Sequence, residues 1–370
     1  MHEELYAGVM SGTSLDGVDA VIADFSPSPA SACRTLGAAH VPYPTMLRDE
    51  LLALQLPGNN ELVRAGAAAN MLAELYAEAI GKALEAASLA AERIRAAGVH
   101  GQTLRHRPDR GFTFQLNNPA RVVERSGIAV VADFRNRDVA AGGQGAPLVP
   151  AFHAALFGRP DRHRVIVNVG GIANITDLRP DGAISGYDTG PGNVLSDLWC
   201  ARNRGTTYDA QGAWAATGKT DAALLGVLLD DPYFAAPAPK STHRDRFDLG
   251  WLEERLARAG TRGEAEDVQA TLVALTARTI ADAIRASAPD AAEILVCGGG
   301  ANNEALMRDL SHELAPRRVA TTAAEGAPVE QVEALAFAWL ARETLAGRPG
   351  NLPAVTGARG ARVLGAIYPR

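Results

Sequence analysis

Apolar residues run from Leu5 to Met10, stop at a polar loop from Ser11 to Gly17, and resume from Val18 to Phe25. Two short apolar runs joined by a Gly/Ser/Thr/Asp tip predict a hairpin. A third strand is expected near Thr35 to Val41. From Ala65 to Ala97 the chain turns to Ala, Leu and Glu, which predicts a long helix closed by Gly98. Val99 to Thr103, Phe112 to Leu116 and Ile128 to Phe134 predict further strands. Pro119 suits the first turn of a short helix before the last of these.

The texture changes near Ala140. The Gly-rich stretch Ala141-Gly142-Gly143-Gln144-Gly145-Ala146-Pro147 reads as a domain crossover. The apolar run Val165 to Val169 then ends at Gly170-Gly171, and Ile172 to Leu178 and Ile184 to Tyr187 follow as strands. This repeats the layout of the first half without repeating its sequence. Leu272, Leu275, Ile280 and Ile284 have helical spacing within Val268 to Ala286. Ile294 to Cys297 is a short strand running into Gly298-Gly299-Gly300, with a helix from Asn303 to Leu314. Val332 to Leu345 is a late apolar helix.

Composition narrows the class. At 370 residues the chain exceeds one ordinary core, and a prior of about 150 residues per domain suggests two domains. A formal net charge of −6 argues against a nucleic-acid partner, which calls for a basic face. Cys33, Cys200 and Cys297 are far apart with no CxxC pair, as expected in a reducing compartment. The start is acidic, without the apolar core of a signal peptide, and no apolar run reaches the roughly 18 residues of a membrane helix. A soluble cytoplasmic protein with no membrane partner is the expectation.

Three glycine loops follow strands. In Ser11-Gly12-Thr13-Ser14-Leu15-Asp16-Gly17 small residues let backbone N–H groups approach an anion, and Asp16 suits Mg²⁺. The loop lacks the Gly-Lys-Ser/Thr ending of a Walker A motif and fits an ordinary hairpin turn equally well. Asn168 to Asn174 and Cys297 to Asn303 are the other two. The last is not G-x-G-x-x-G, which disfavours a dinucleotide site. Each loop alone reads as a turn; three together, spread over two halves, suit a polyphosphate held by two domains.

The set resembles the acetate-and-sugar-kinase, heat-shock-chaperone and actin superfamily. Within it the chain is similar to the anhydro-N-acetylmuramic acid kinase family. The matching stretches are Met10 to Asp19, His100-Gly101-Gln102-Thr103, Asp133-Phe134-Arg135, Gly142 to Leu148, Asn168 to Asn174, Asp188-Thr189-Gly190-Pro191-Gly192-Asn193, Pro239-Lys240-Ser241-Thr242, Cys297 to Asn302 and Glu333 to Trp339. They span nearly the whole chain in the family's order. Val99 stands where a Ser is expected, and His243 where a Gly is expected.

The resemblance implies an α/β fold of two ribonuclease-H-like domains flanking a nucleotide cleft. Residues 1–135 plus 332–370 would form the first domain and 136–331 the second. It implies ATP-dependent phosphorylation of 1,6-anhydro-N-acetylmuramic acid with hydrolytic opening of the anhydro ring, in cell-wall recycling, with ATP and Mg²⁺ as cofactors and a homodimer as the assembly. Its first phosphate loop corresponds to Gly12, Thr13, Ser14, Leu15, Asp16, Gly17, Val18 and Asp19, its second to Gly170 and Gly171, and its adenosine loop to Gly298, Gly299 and Gly300. The family's catalytic base corresponds to Asp188; from sequence alone an Asx turn is the competing role. Gln102, Arg135, Asn168 and Glu333 are candidates for the amino sugar. Arg135 suits a substrate carboxylate, or an ion pair with Asp133 or Asp138. Lys240 is a candidate phosphate contact. Two rivals are a kinase acting on a free hydroxyl or carboxylate, and an ATP-gated binding protein.

Overall fold

A computed structural model describes residues 3–12, 15–26, 33–238, 240–242, 246–260 and 263–370. Thr13, Ser14, Pro239 and His243, all singled out above, lie outside the described residues. The first three strands form an antiparallel meander: β1 (Leu5–Met10), β2 (Gly17–Asp24) and β3 (Arg34–Pro42). β4 (Ala96–Val99) runs parallel to β1. A separate hairpin, β5 (Gln102–Arg107) with β6 (Phe112–Leu116), follows. β7 (Val130–Ala132) is parallel to β4, and the final strand, Ala366–Tyr368, closes that edge. The sheet order is Ala366–Tyr368, β7, β4, β1, β2, β3.

Each face of this sheet is covered by a helix, and strand alternation decides which residues meet it. Leu5, Ala7 and Val9 share a core with Leu72, Tyr76 and Ile80 of the Glu61–Ala87 helix. On the other face lies the Val332–Leu345 helix, apolar and buried almost all round. It packs so closely that a Cβ on Gly8 would sit 1.9 Å from the Ala334 carbonyl oxygen, and one on Gly98 2.0 Å from that of Phe337. Gly8 and Gly98 are neighbours across β1 and β4, so together they form the bed for this helix.

The second sheet has the same plan. β8 (Arg164–Val169), β9 (Ile172–Leu178) and β10 (Ile184–Pro191) form an antiparallel meander. β11 (Glu293–Cys297) runs parallel to β8 and β12 (Arg318–Thr321) parallel to β11. The order β10-β9-β8-β11-β12 matches β3-β2-β1-β4-β7. Val165, Val167 and Val169 pack with Val273, Ile280 and Ile284 of the Ala265–Ser287 helix. Thus the repeat of layout seen in the sequence is a repeat of topology.

The chain divides into two compact units, Met1–Leu156 with Gln331–Arg370, and Phe157–Glu330. The Gly-rich stretch at 141–147 stays with the first unit: Gln144 N donates to the Thr356 carbonyl at 2.7 Å, and Arg359 N to that of Ala141 at 2.9 Å.

The long helix is shorter than its composition predicts. It ends at Ala87, where Ser88 takes a left-handed φ of 54° and Leu89 N reaches back to the Leu84 carbonyl. This six-to-one closure is usually given to Gly; here Ser occupies it, which hides the stop from a composition reading. Gly98 therefore ends no helix. Val99, where the family resemblance expects Ser, is buried in β4.

Candidate active site

In the first unit the β1–β2 loop is tied down from below. Gln102, fully buried, donates from Nε2 to the Gly12 carbonyl at 3.1 Å and accepts from the Tyr43 hydroxyl at 2.9 Å. Ser11 Oγ lies 2.9 Å from the Tyr76 hydroxyl. Gln102, a candidate for the amino sugar, has both ends of its amide engaged in holding the loop. Leu15 has a left-handed φ of 55°, uncommon for a bulky residue, and its side chain enters the core, as does that of Val18. Only their backbones are placed to serve a ligand. Gly17 is required by strand pairing, since a Cβ there would lie 2.5 Å from the Val41 carbonyl oxygen. Asp16 is exposed and accepts from Gly17 N at 3.0 Å. Asp19 Oδ1 lies 2.8 Å from His40 Nδ1.

Arg135 donates from Nε to His100 Nε2 at 3.0 Å and from Nη1 to the Gly145 carbonyl at 2.8 Å. The ion-pair alternatives take other partners. Asp133 accepts from Asn136 Nδ2, and Asp138 from Gly145 N, Asn351 and Thr356. Burial pulls the Arg135 guanidinium down to about 10, so it stays charged at neutral pH; Glu333 and Asp138 oppose the shift. Burial pushes the Glu333 carboxyl above its ordinary range. The Arg135 charge opposes this, and Asp19 and Asp16 add to it. Gln102, Arg135, Glu333 and the first loop thus belong to one unit.

Asn168 is positioned by a different strand. It belongs to the second unit, at the end of β8, where its Oδ1 would lie 2.5 Å from a Cβ on Gly298. Gly298 has φ 80°, and a Cβ on Gly300 would lie 2.3 Å from Val169 Cγ1. Those two glycines are demanded by the protein's own packing. Gly299 differs: its Cβ position is open, the nearest atom being Asn193 Nδ2 at 3.9 Å. Gly170 is also open, with 3.6 Å to the Ile172 carbonyl oxygen. The Gly170 and Gly171 carbonyls accept from Asn193 N, and from Gly192 N and Val194 N, which seats this turn against the start of the Val194–Arg204 helix. That helix start went unrecognised in the sequence, although Gly-Pro-Gly-Asn before an apolar run signals one.

Asp188 stands at a bulge in β10 between Asp188 and Gly190. Bulges commonly re-aim a side chain beside a functional site. Its Oδ2 accepts from Thr242 N at 3.0 Å, its N–H donates to the Lys240 carbonyl at 3.1 Å, and its carbonyl accepts from the Tyr233 hydroxyl at 2.6 Å. The carboxylate therefore binds a distant segment and caps no local turn. Burial raises its pKa above the ordinary carboxylate value, against the opposing Thr242 N–H. Lys240, the candidate phosphate contact, is held by backbone carbonyls. Its Nζ donates to the Tyr233 and Phe234 carbonyls at 3.0 Å each and lies 4.7 Å from the Tyr233 ring centroid, fixing the segment that holds Asp188.

The fold is shared at low sequence identity. The crystal structure of (R)-2-hydroxyglutaryl-CoA dehydratase component A from Acidaminococcus fermentans superposes with a TM-score of 0.50 at 13% identity, over 90% of this chain and 96% of that one. With two sheets of one strand plan, the chain is an α/β protein of the actin-like, ribonuclease-H-like class. A family model described as Anhydro-N-acetylmuramic acid kinase matches residues 4–370. Proteins named anhydro-N-acetylmuramic acid kinase from Thiobacillus denitrificans and Cupriavidus metallidurans are 55% and 52% identical, covering 100% and 99% of this chain and 98% of each relative. The chain belongs to the anhydro-N-acetylmuramic acid kinase family. It is a sugar kinase that phosphorylates anhydro-N-acetylmuramic acid in cell-wall recycling, and membership in a kinase family implies ATP as phosphoryl donor. Among the described residues no helix is long and apolar enough to cross a membrane.

Proposed function

We propose that the chain couples two bond exchanges: a water opens the 1,6-anhydro bridge of the sugar, and the freed O6 takes the γ-phosphoryl group of ATP. In the anhydro sugar O6 is tied to the anomeric carbon, so no free 6-hydroxyl exists to be phosphorylated. The observation that carries this reading is Asp188, a carboxylate at a strand bulge whose pKa burial raises, which makes it a stronger base than an exposed Asp. Asp188 takes the proton as the water oxygen bonds to C1. The C1–O6 bond breaks, O6 bonds to the γ-phosphorus, and the bond to ADP breaks. The phosphorus plays the part that a second carboxyl group plays in a simple inverting glycosidase. The products are N-acetylmuramic acid 6-phosphate and ADP.

The other roles follow from the chemistry of each group. Gly12 to Asp19, Gly170-Gly171 and Gly298 to Gly300 serve the nucleotide. Arg135 takes the lactyl carboxylate, Glu333 a sugar hydroxyl, and Asn168 acts beside the third glycine loop. Among the described residues no group of three or more His, Cys, Asp or Glu is placed to hold a metal ion. Mg²⁺ keeps several waters and binds one or two carboxylates plus substrate phosphates. Asp16, exposed on the first loop, would hold it, where it would neutralise phosphate charge. The two compact units are the two ribonuclease-H-like domains, with residues 136–156 in the first. The protein works in the cytoplasm as a homodimer, as the resemblance implies.

The product of Mg-ATP and 1,6-anhydro-N-acetylmuramic acid is expected to have gained one phosphoryl group and one water by mass spectrometry. A product that gains the phosphoryl group alone would discard the ring-opening step. For the nucleotide loop, Gly299→Ala should leave thermal stability unchanged, because its Cβ meets open space. It should weaken ADP binding about 10-fold, roughly 1.4 kcal/mol, by calorimetry. Unchanged affinity would remove this loop from the nucleotide site. Gly298→Ala, by contrast, should lose stability whether or not nucleotide is present.

A further inference from the structure

We propose that His100 is a positioning residue that fixes Arg135 for the substrate carboxylate through its Nε2 lone pair. The inference rests on the reading of Arg135 given above. A guanidinium has five N–H donors in a rigid plane. In Arg135 the Nε–H goes to His100 and one Nη1–H to the Gly145 carbonyl, at 3.0 and 2.8 Å. Two fixed acceptors lock the plane, and among the described residues no hydrogen bond engages Nη2, which leaves its hydrogens for a ligand.

Both acceptors are neutral, and that matters for an anionic substrate. An aspartate in either place would neutralise Arg135 and compete with the incoming carboxylate. Asp133 and Asp138 are close in sequence, yet their carboxylates are engaged by Asn136, and by Gly145 N, Asn351 and Thr356. The charges of Glu333 and Asp138 both reach Arg135, but neither is one of its two hydrogen-bond acceptors, and burial pushes Glu333 toward its neutral form. His100 can serve as an acceptor only while unprotonated. Burial, and then the charge of Arg135, hold its pKa well below the ordinary imidazole value. The ring itself is clamped: it is 5% exposed, with its centroid 4.7 Å from that of Phe337 on the helix that carries Glu333.

The test uses the full-length protein with two sugars, 1,6-anhydro-N-acetylmuramic acid and 1,6-anhydro-N-acetylglucosamine, which lacks the lactyl carboxylate. The second is read as a substrate or as a competing inhibitor. His100→Leu keeps the volume and removes the acceptor. It should raise KM for the carboxylate sugar about 10-fold, the loss expected for one hydrogen bond to a charged group. KM for ATP and the affinity for the carboxylate-free sugar should stay within about 2-fold. His100→Gln, whose Oε1 can replace Nε2, should restore most of the loss. If the Leu variant does not fold, His100→Met carries the same test. Equal effects on both sugars, or none, would overturn the role of His100. Arg135→Ala separates the two readings. If that variant still prefers the carboxylate sugar, the reading of Arg135 fails and His100 with it. If the preference is lost there but kept in His100→Leu, only the inference about His100 fails.

Discussion

Asp188→Asn is expected to lower turnover by about three orders of magnitude, within the roughly 10²- to 10⁴-fold range of a positioned acid–base group, while ADP binding is kept. The amide is isosteric, and its oxygen can still accept from Thr242 N, so the bulge and the Tyr233 and Lys240 contacts should survive. What disappears is the group proposed to take the proton from water. The stability sign is also defined. Burial raises the Asp188 pKa in the folded chain, so its contribution to stability is present below the unfolded pKa and fades as pH rises through the folded one. A neutral Asn avoids that loss, and the variant should melt no lower than the parent at neutral pH. In the parent, kcat/KM should fall as pH drops through this raised pKa, and that limb should be absent from the residual activity of the variant. Normal turnover in Asp188→Asn would remove it as the base.

Gly98→Ala should be strongly destabilising, as Gly8→Ala should be beside it. A Cβ on Gly98 would lie 2.0 Å from the Phe337 carbonyl oxygen and 2.7 Å from its carbon. These are backbone atoms of a buried helix, which cannot swing aside as a side-chain tip can. The helix must lift from β1 and β4, loosening contacts made by Gly8 as well. Overpacking of this kind costs about 3 kcal/mol, which for a chain of this size is a melting temperature lower by roughly 4 °C. Gly66→Ala is the control: it is exposed on the Glu61–Ala87 helix with nothing within 4 Å, and should be neutral or stabilising by up to about 1 kcal/mol. Equal melting of the two variants would contradict the close approach of the Val332–Leu345 helix.

Several elements were legible because their causes are local. The Val332–Leu345 helix follows from its apolar residues, and the strands before the glycine loops follow from short apolar runs ending at Gly. Where cause and element are separated, the reading drifted. The end of the long helix depends on a left-handed Ser88, a conformation that composition does not announce. The partners of Gln102 are not legible locally, since Gly12 is 90 residues away and Tyr43 59 residues away. Nor is it legible that two carbonyls of the preceding segment hold the Lys240 ammonium group.

By itself the sequence determined the alternation of strand and helix, the repeated layout of the two halves, the three glycine loops and the family to which they point. These depend on periodicity and on residue types needed within a few positions of one another. The tertiary structure alone decided which polar groups are free to act. It engages both ends of Gln102, draws Asn168 to Gly298, and gives Arg135 two neutral acceptors while diverting its neighbouring aspartates. Buried polar groups must be satisfied, and which partner satisfies each is set by packing across long stretches of chain.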